Sequence, residues 1–124
     1  MSNIVSIFIK CNEALDIIVE ILKKHLSVEF EPVNVDNKLL FRTKIMGIGM
    51  DVFDQHGLFN DKGISYEDYN YEIDFEIFDH RDYKYINDML IVLVKYVAEV
   101  ITANVTTKKI ILVDDLQEII EFKK

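Results

Sequence analysis

Residues 69–78 read YNYEIDFEIF and alternate strictly between apolar and polar or acidic side chains. In an extended chain, this alternation places the two kinds of side chain on opposite faces. The apolar row consists of Tyr69, Tyr71, Ile73, Phe75 and Ile77. Aromatic and β-branched residues of this kind suit a half-buried pleated surface. The stretch therefore predicts a strand whose other face carries the carboxylates of Glu72, Asp74 and Glu76.

The negative charge of the chain is concentrated around this strand. Residues 51–82 hold ten acidic residues against two basic ones, a net charge of −8, whereas the remainder holds twelve of each. Carboxylates two residues apart on a strand lie about 6.5–7 Å from each other. Each such pair repels by about 0.6 kcal/mol in water. The row therefore needs a cation, a basic neighbouring strand or a basic partner to offset it.

Further strands are predicted on the N-terminal side of the acidic stretch. Residues 39–45 alternate and give a strand with a basic outer face, and residues 50–53 follow a bulge or tight bend around Gly47 and Gly49. Residues 28–35 form a strand that Pro32 interrupts, which favours an edge position. Residues 54–68 have no sustained period and predict a loop, of a length that is usually functional or mobile.

Two helices and the terminal strands complete the pattern. Residues 4–9 form an apolar run typical of a strand covered on both faces. Asn12 is a candidate N-cap for a first helix that continues to Leu26. A second helix of about twenty residues starts at residues 79–82 and ends near Asn104. Residues 109–113 predict a strand, and residues 116–122 fit either a last strand or a short helix.

The order of these elements indicates an α+β fold formed by a single domain over residues 1–124. We predict a mostly antiparallel sheet of about five to six strands with two helices packed on one face. A chain of this length can bury a proper core without disulfide bonds or metal ions. The opposite face of the sheet should be partly solvated, and the acidic row is the natural candidate to line it.

Composition excludes several classes of protein. The single cysteine excludes an internal disulfide framework and fits a reducing compartment. The N-terminus does not resemble a signal peptide, and the longest apolar run, residues 89–94, is far shorter than the roughly 20 residues of a membrane span. A pI of about 4.8 argues against binding to nucleic acid or to an anionic membrane. We therefore expect a soluble cytoplasmic protein.

Three kinds of chemical site can be considered and are disfavoured. Acidic residues and histidines flank residues 54–68, but their spacing matches no HExxH, CxxC or calcium-loop motif, so we expect no metal ion or cofactor. Cys11 lies where a strand enters a helix, yet no phosphatase-spaced arginine and no second cysteine accompany it. Acid–base pairs such as Glu72 and Glu76 would share one environment, whereas catalytic pairs need unequal ones. We predict that the protein is not an enzyme.

A binding surface fits the pattern better. A patch of one charge sign with aromatic neighbours is typical of a surface that recognises a basic protein. In the alternative, the carboxylates pair with Arg42 and Lys44 on a neighbouring strand and keep the protein soluble. The predicted partner-binding residues are Asp51, Asp54, His56, Asp61, Tyr66, Glu67, Asp68, Glu72, Asp74 and Glu76.

A family resemblance supports this interpretation. The segment DQHGL at residues 54–58, then Gly63-Ile64, then Tyr66 with Asp68-Tyr69 and Tyr71, resembles the central signature of small acidic immunity proteins of bacterial polymorphic toxin and contact-dependent inhibition systems. The resemblance implies a cytoplasmic protein that binds and blocks a cognate toxin domain, often a nuclease, whose basic groove the acidic strand and loop would occupy. The alternative is a homodimeric, non-catalytic structural or regulatory module that pairs through an exposed aromatic loop and a sheet edge.

Overall fold

A computed structural model describes residues 4–54, 68–78, 83–114 and 118–121. The elements, in chain order, are β1 (Ile4–Cys11), α1 (Leu15–Leu26), β2 (Glu31–Val35), β3 (Lys38–Ile45), β4 (Ile48–Phe53), β5 (Tyr71–Ile77), α2 (Tyr83–Asn104), β6 (Thr107–Asp114) and β7 (Glu118–Glu121). The predicted α+β fold is confirmed. In the described part of the chain, no helix is long and apolar enough to cross a membrane.

The strands form one sheet in the order β2-β3-β4-β5-β1-β6-β7, and every neighbouring pair is antiparallel. This is one strand more than the upper limit predicted, because residues 118–121 pair with β6 as a strand. The proline-containing strand β2 lies at an edge, as predicted. The strand β1 lies between β5 and β6 and is covered on both faces, which explains why its sequence is a nearly continuous apolar run.

Two tight turns build the β2–β3–β4 meander. Asp36 and Asn37 both have positive φ angles, 51° and 65°, and connect β2 to β3. Met46 and Gly47 do the same between β3 and β4, with φ angles of 51° and 83°. Two consecutive positive φ angles match the twist of antiparallel strands. The predicted bend around the two glycines is therefore a two-residue turn at Met46–Gly47, and Gly49 lies inside β4.

Both helices pack on the same face of the sheet, which we call the inner face. The helix α1 buries Ile18, Val19 and Leu22, and α2 contributes a longer stripe that includes Leu90 and Ile101. These side chains form one core with the inward-facing residues of β1, β4, β5 and β6. The predicted N-cap at Asn12 is wrong, because α1 begins at Leu15 and Ala14 occupies the cap position without a side-chain hydrogen bond.

The start of β5 differs from the predicted alternation. The strand begins at Tyr71, and Tyr69 lies on the opposite face, where its ring meets the ring of Phe8 edge-on with 6.1 Å between centroids. The cause lies at Asn70, whose side-chain amide accepts a hydrogen bond from the Cys11 N–H and donates one to the Cys11 carbonyl. These side-chain hydrogen bonds take the place of backbone bonds at Cys11, and the regular pairing of β5 with β1 begins one residue after Asn70, at Tyr71.

Candidate partner-binding face

We call the face of the sheet opposite the helices the outer face, and strand register decides which side chains share it. Asp51 of β4 lies directly across from Asp74 of β5, which in turn lies across from Ser6 of β1. Because alternate residues of a strand point to the same side, Glu72 and the other outward residues of β5 belong to this face as well. The structure therefore brings the acidic residues of β4 and β5 together, as the alternation predicts.

Asp51 is neutralised by a cross-strand partner. Arg42 of β3 lies opposite it, and the guanidinium Nε and Nη2 donate to the two carboxylate oxygens at 2.8 and 3.1 Å. This hydrogen bond raises the pKa of Arg42 above its ordinary value. The geometry is bidentate and both side chains remain partly exposed. In the alternative inferred from the sequence, the carboxylates pair with basic residues of a neighbouring strand. For Asp51, this pairing is present.

Glu72 is buried, although it lies on the outer face. Its exposed fraction is only 5%, and Phe8 and Phe53 lie directly across from it on the two adjacent strands. The pKa of Glu72 is raised to about 10, mainly by burial and also by a hydrogen bond with Asp74 and the charge of Asp74, while the charge of Lys38 acts in the opposite direction. At neutral pH, Glu72 therefore keeps its proton and carries no charge.

Asp74 completes a short polar chain across the sheet. It accepts a hydrogen bond from the hydroxyl of the buried Ser6 at 2.7 Å, and it is also hydrogen-bonded to the carboxyl of Glu72. Because Glu72 keeps its proton, the two carboxyl groups can lie this close without the repulsion of two negative charges. The row of three carboxylates consequently carries less charge than its sequence indicates.

The end of the outer face near β3 and β4 carries an exposed aromatic ring. Phe78 is 49% exposed and lies over Gly49, where an added Cβ atom would clash with the ring carbon Cε2. The ammonium of Lys44 lies 4.9 Å from the ring centroid. Glu76 lies across from Gly49 and is half-buried. An aromatic ring set among charges is the usual chemistry of an interface anchor.

A groove of about 520 Å³ adjoins this ring and crosses the outer side of β2 and β3. Its lining residues are Glu29, Glu31, Val33, Arg42, Thr43, Lys44 and Phe78. Acidic and basic side chains both contribute to it. The groove is therefore suited to a polar segment of mixed charge rather than to a purely basic one.

The remaining predicted site residues are spread more widely. Asp54 is exposed at the end of β4, and Asp68 pairs with Lys109 at 3.6 Å. Four of the predicted binding residues lie outside the described residues, and these are His56, Asp61, Tyr66 and Glu67. In residues 4–54, 68–78, 83–114 and 118–121, no group of three His, Cys, Asp or Glu side chains could hold a metal ion.

Cys11 is buried, and burial raises the pKa of its thiol, with the charge of Glu13 acting in the same direction. The helix α1 begins four residues later, at Leu15, so the thiol is not in the first turn of a helix. A protonated, buried thiol is a poor nucleophile. The geometry agrees with the structural role that the sequence favours for this residue.

Sequence reasoning missed Ser6 and Phe8 as members of the outer face. Both lie within the apolar run of β1, which carries no alternation because both of its faces are covered. A signal was nevertheless available, since a single serine inside an apolar strand needs a hydrogen-bond partner. That partner is Asp74, 68 residues further along the chain.

The comparison with known proteins adds no relative. The chain matches no protein-family model, and it gives no significant match to a curated protein or to a solved structure. Its function must therefore be argued from the geometry of the outer face.

Proposed function

We propose that this chain is a non-catalytic binding protein of the immunity type, which engages a basic protein partner through its outer face and neutralises it. The observation that supports the proposal is the register of β4 and β5, which gathers acidic side chains from two strands on the face opposite the helices. The segment from residue 51 to residue 82 accounts for the whole net charge of −8. Such a surface attracts a basic partner and repels acidic ones.

The geometry narrows the set of carboxylates that would meet the partner. Asp51 is already paired with Arg42, and Glu72 is buried and protonated. Glu76 lies on the outer face and is half-buried, so it is the better source of attraction, whereas Asp54 follows the outward Phe53 and lies on the helix side, where its charge acts on the core residue Tyr71. The exposed ring of Phe78, two residues beyond Glu76, supplies an apolar anchor beside it.

The test compares capture by three tagged proteins in the native host, washed across a salt series. The wild type should retain a basic protein whose binding weakens steeply with salt. The variant Glu76→Lys should retain less of it. The matched control, Glu20→Lys, makes the same change in net charge at an exposed position within α1 and should retain it.

The partner identified in this way is then purified and titrated calorimetrically against the same three proteins. Reversing the charge of Glu76 should weaken binding by about fivefold or more, mostly through slower association. Circular dichroism checks that each variant is folded. Equal affinity for the wild type and the Glu76→Lys variant would show that another surface binds the partner.

A further inference from the structure

The outward side of α2 carries apolar side chains that the fold leaves uncovered. Tyr85 and Val92 are each 67% exposed, and Tyr96 is 43% exposed. Together with Met46 of the β3–β4 turn, they line an apolar groove of about 400 Å³ that runs along the helix. A contiguous apolar patch on the surface of a small protein is typical of an interaction site.

A stripe of four charged residues follows the same helix. Lys84, Asp88, Lys95 and Glu99 are all exposed. At about 100° per residue, these four positions lie within about 60° of one another around the helix axis, directly beside the apolar stripe. In the described part of the chain, none of them takes part in an ion pair.

The order of these charges is positive, negative, positive, negative, and it is centred on the midpoint between Ile91 and Val92. Lys84 and Glu99 lie equally far from that midpoint, and so do the two inner charges. Two antiparallel helices related by a two-fold axis through the midpoint bring the same flank of each helix together. Every charge in the stripe then faces its opposite, whereas a parallel two-fold pairing would put the two stripes on opposite sides of the contact, where they do not meet.

We infer that α2 is the interface of a homodimer, in which a second copy of this chain lays its own α2 antiparallel along the apolar groove. Lys84 of each copy meets Glu99 of the other, and Asp88 meets Lys95, so that four ion pairs flank the contact. Val92 lies next to the two-fold axis. Individual surface ion pairs contribute little to affinity, so the apolar stripe drives association and the charges select the antiparallel orientation.

This interface is separate from the surface used in the proposed function. The helices cover the inner face, so a dimer formed through α2 leaves both outer faces accessible, on opposite sides of the assembly. It also differs from the homodimer that the sequence offers as an alternative, which would pair through an exposed aromatic loop and a sheet edge. Each dimer would present two copies of the acidic outer face to its partners.

The first test is sedimentation of the full chain from micromolar to near-millimolar concentration. A reversible monomer–dimer equilibrium is expected. Val92→Asp should weaken the dimer by far more than tenfold, because it places two carboxylates beside the axis in an apolar contact. A monomer at every concentration, or a dimer that Val92→Asp leaves unchanged, would overturn the assignment.

The second test is a charge exchange. Lys84→Glu and Glu99→Lys should each raise the dimer dissociation constant by about tenfold, because each places like charges together twice. The double variant should return to the affinity of the wild type, because the reversed pair is again complementary. The control Lys24→Glu, on α1, should have no effect. A double variant no tighter than the single ones would rule out the antiparallel pairing.

Discussion

The two faces of the sheet are built from the same strands and differ sharply in what they bury. The inner face buries apolar side chains such as Ile7, Ile73 and Phe75 against two helices. The outer face also buries side chains, but among them are the hydroxyl of Ser6 and the carboxyl of Glu72. Burying a carboxyl reduces stability unless it is paired or protonated. The inner face is explained by folding alone, whereas the outer face carries polar groups that folding does not require.

The largest effect should come from the inner face. Phe75→Ala should lower the free energy of unfolding by about 3–5 kcal/mol, because it empties the centre of the main core. Phe8→Ala, on the outer face, removes an equally buried ring from a much smaller cluster and should cost less. Urea denaturation of both variants measures the difference. An equal decrease in the free energy of unfolding would mean that the cluster on the outer face contributes as much to stability as the main core.

The next largest effect concerns Glu72 and pH. The pKa of Glu72 is raised in the folded state to about 10, whereas the unfolded chain loses this proton near the ordinary value of 4.5. Between these values the folded state binds more protons, so stability is highest at low pH and falls as pH rises. One such proton gives a slope of up to about 1.4 kcal/mol per pH unit.

Glu72→Gln should therefore stabilise the protein at neutral pH and flatten this dependence, because the amide needs no proton. Urea midpoints between pH 5 and 9 provide the measurement, and Glu20→Gln on the exposed side of α1 is the matched control. If the stability of Glu72→Gln and that of the wild type change with pH in the same way, Glu72 is ionised in the folded protein. The outer face would then not bury a neutral carboxyl.

A smaller effect should follow from crowding at the exposed end of the outer face. Gly49→Ala should lower stability by about 1–3 kcal/mol, because the new Cβ atom meets the ring of Phe78. Moving the ring also breaks its contact with Lys44. In a Phe78→Ala background, the same substitution should cost much less. A thermal-unfolding double-mutant cycle measures this coupling, and additive costs would contradict it.

The smallest effect should come from the half-exposed ion pair. Arg42→Met should reduce stability by about 0.2–1 kcal/mol, since solvent screens the pair formed with Asp51. The loss should shrink as salt is added to the urea titration. Arg42→Lys keeps the charge but loses the bidentate geometry, and it should fall between the wild type and Arg42→Met. A loss unaffected by salt would indicate a packing role for Arg42 instead.

Local patterns in the sequence were sufficient for much of the fold. The alternation of residues 71–77 and the long stripe of α2 predicted those two elements, and the interrupted pattern around Pro32 predicted an edge strand. Predictions that depended on a single residue were weaker. Asn12 does not cap α1, and Tyr69 leaves the predicted row because Asn70 binds the backbone of β1. Two hydrogen bonds made by the side chain of Asn70 therefore override the local alternation at Tyr69.

The candidate site was predictable in location but not in charge state. Alternation placed Glu72, Asp74 and Glu76 on one face, and the structure keeps them there. Nothing in the spacing shows that Glu72 is buried between Phe8 and Phe53, because both rings come from strands distant in sequence. The same holds for the pairing of Asp51 with Arg42, which depends on the register of β3 with β4.

By itself, the sequence determined which side chains share a face of each strand and helix and where the negative charge lies, since both follow from local periodicity and composition. Only the tertiary structure decided the strand order, with β1 between β5 and β6, and the registers that set Ser6 against Asp74 and Phe8 against Glu72. Such pairings depend on burial and hydrogen bonding between segments far apart in the chain. These pairings cannot be predicted from a short stretch of sequence, because the two residues of each pair lie far apart in the chain.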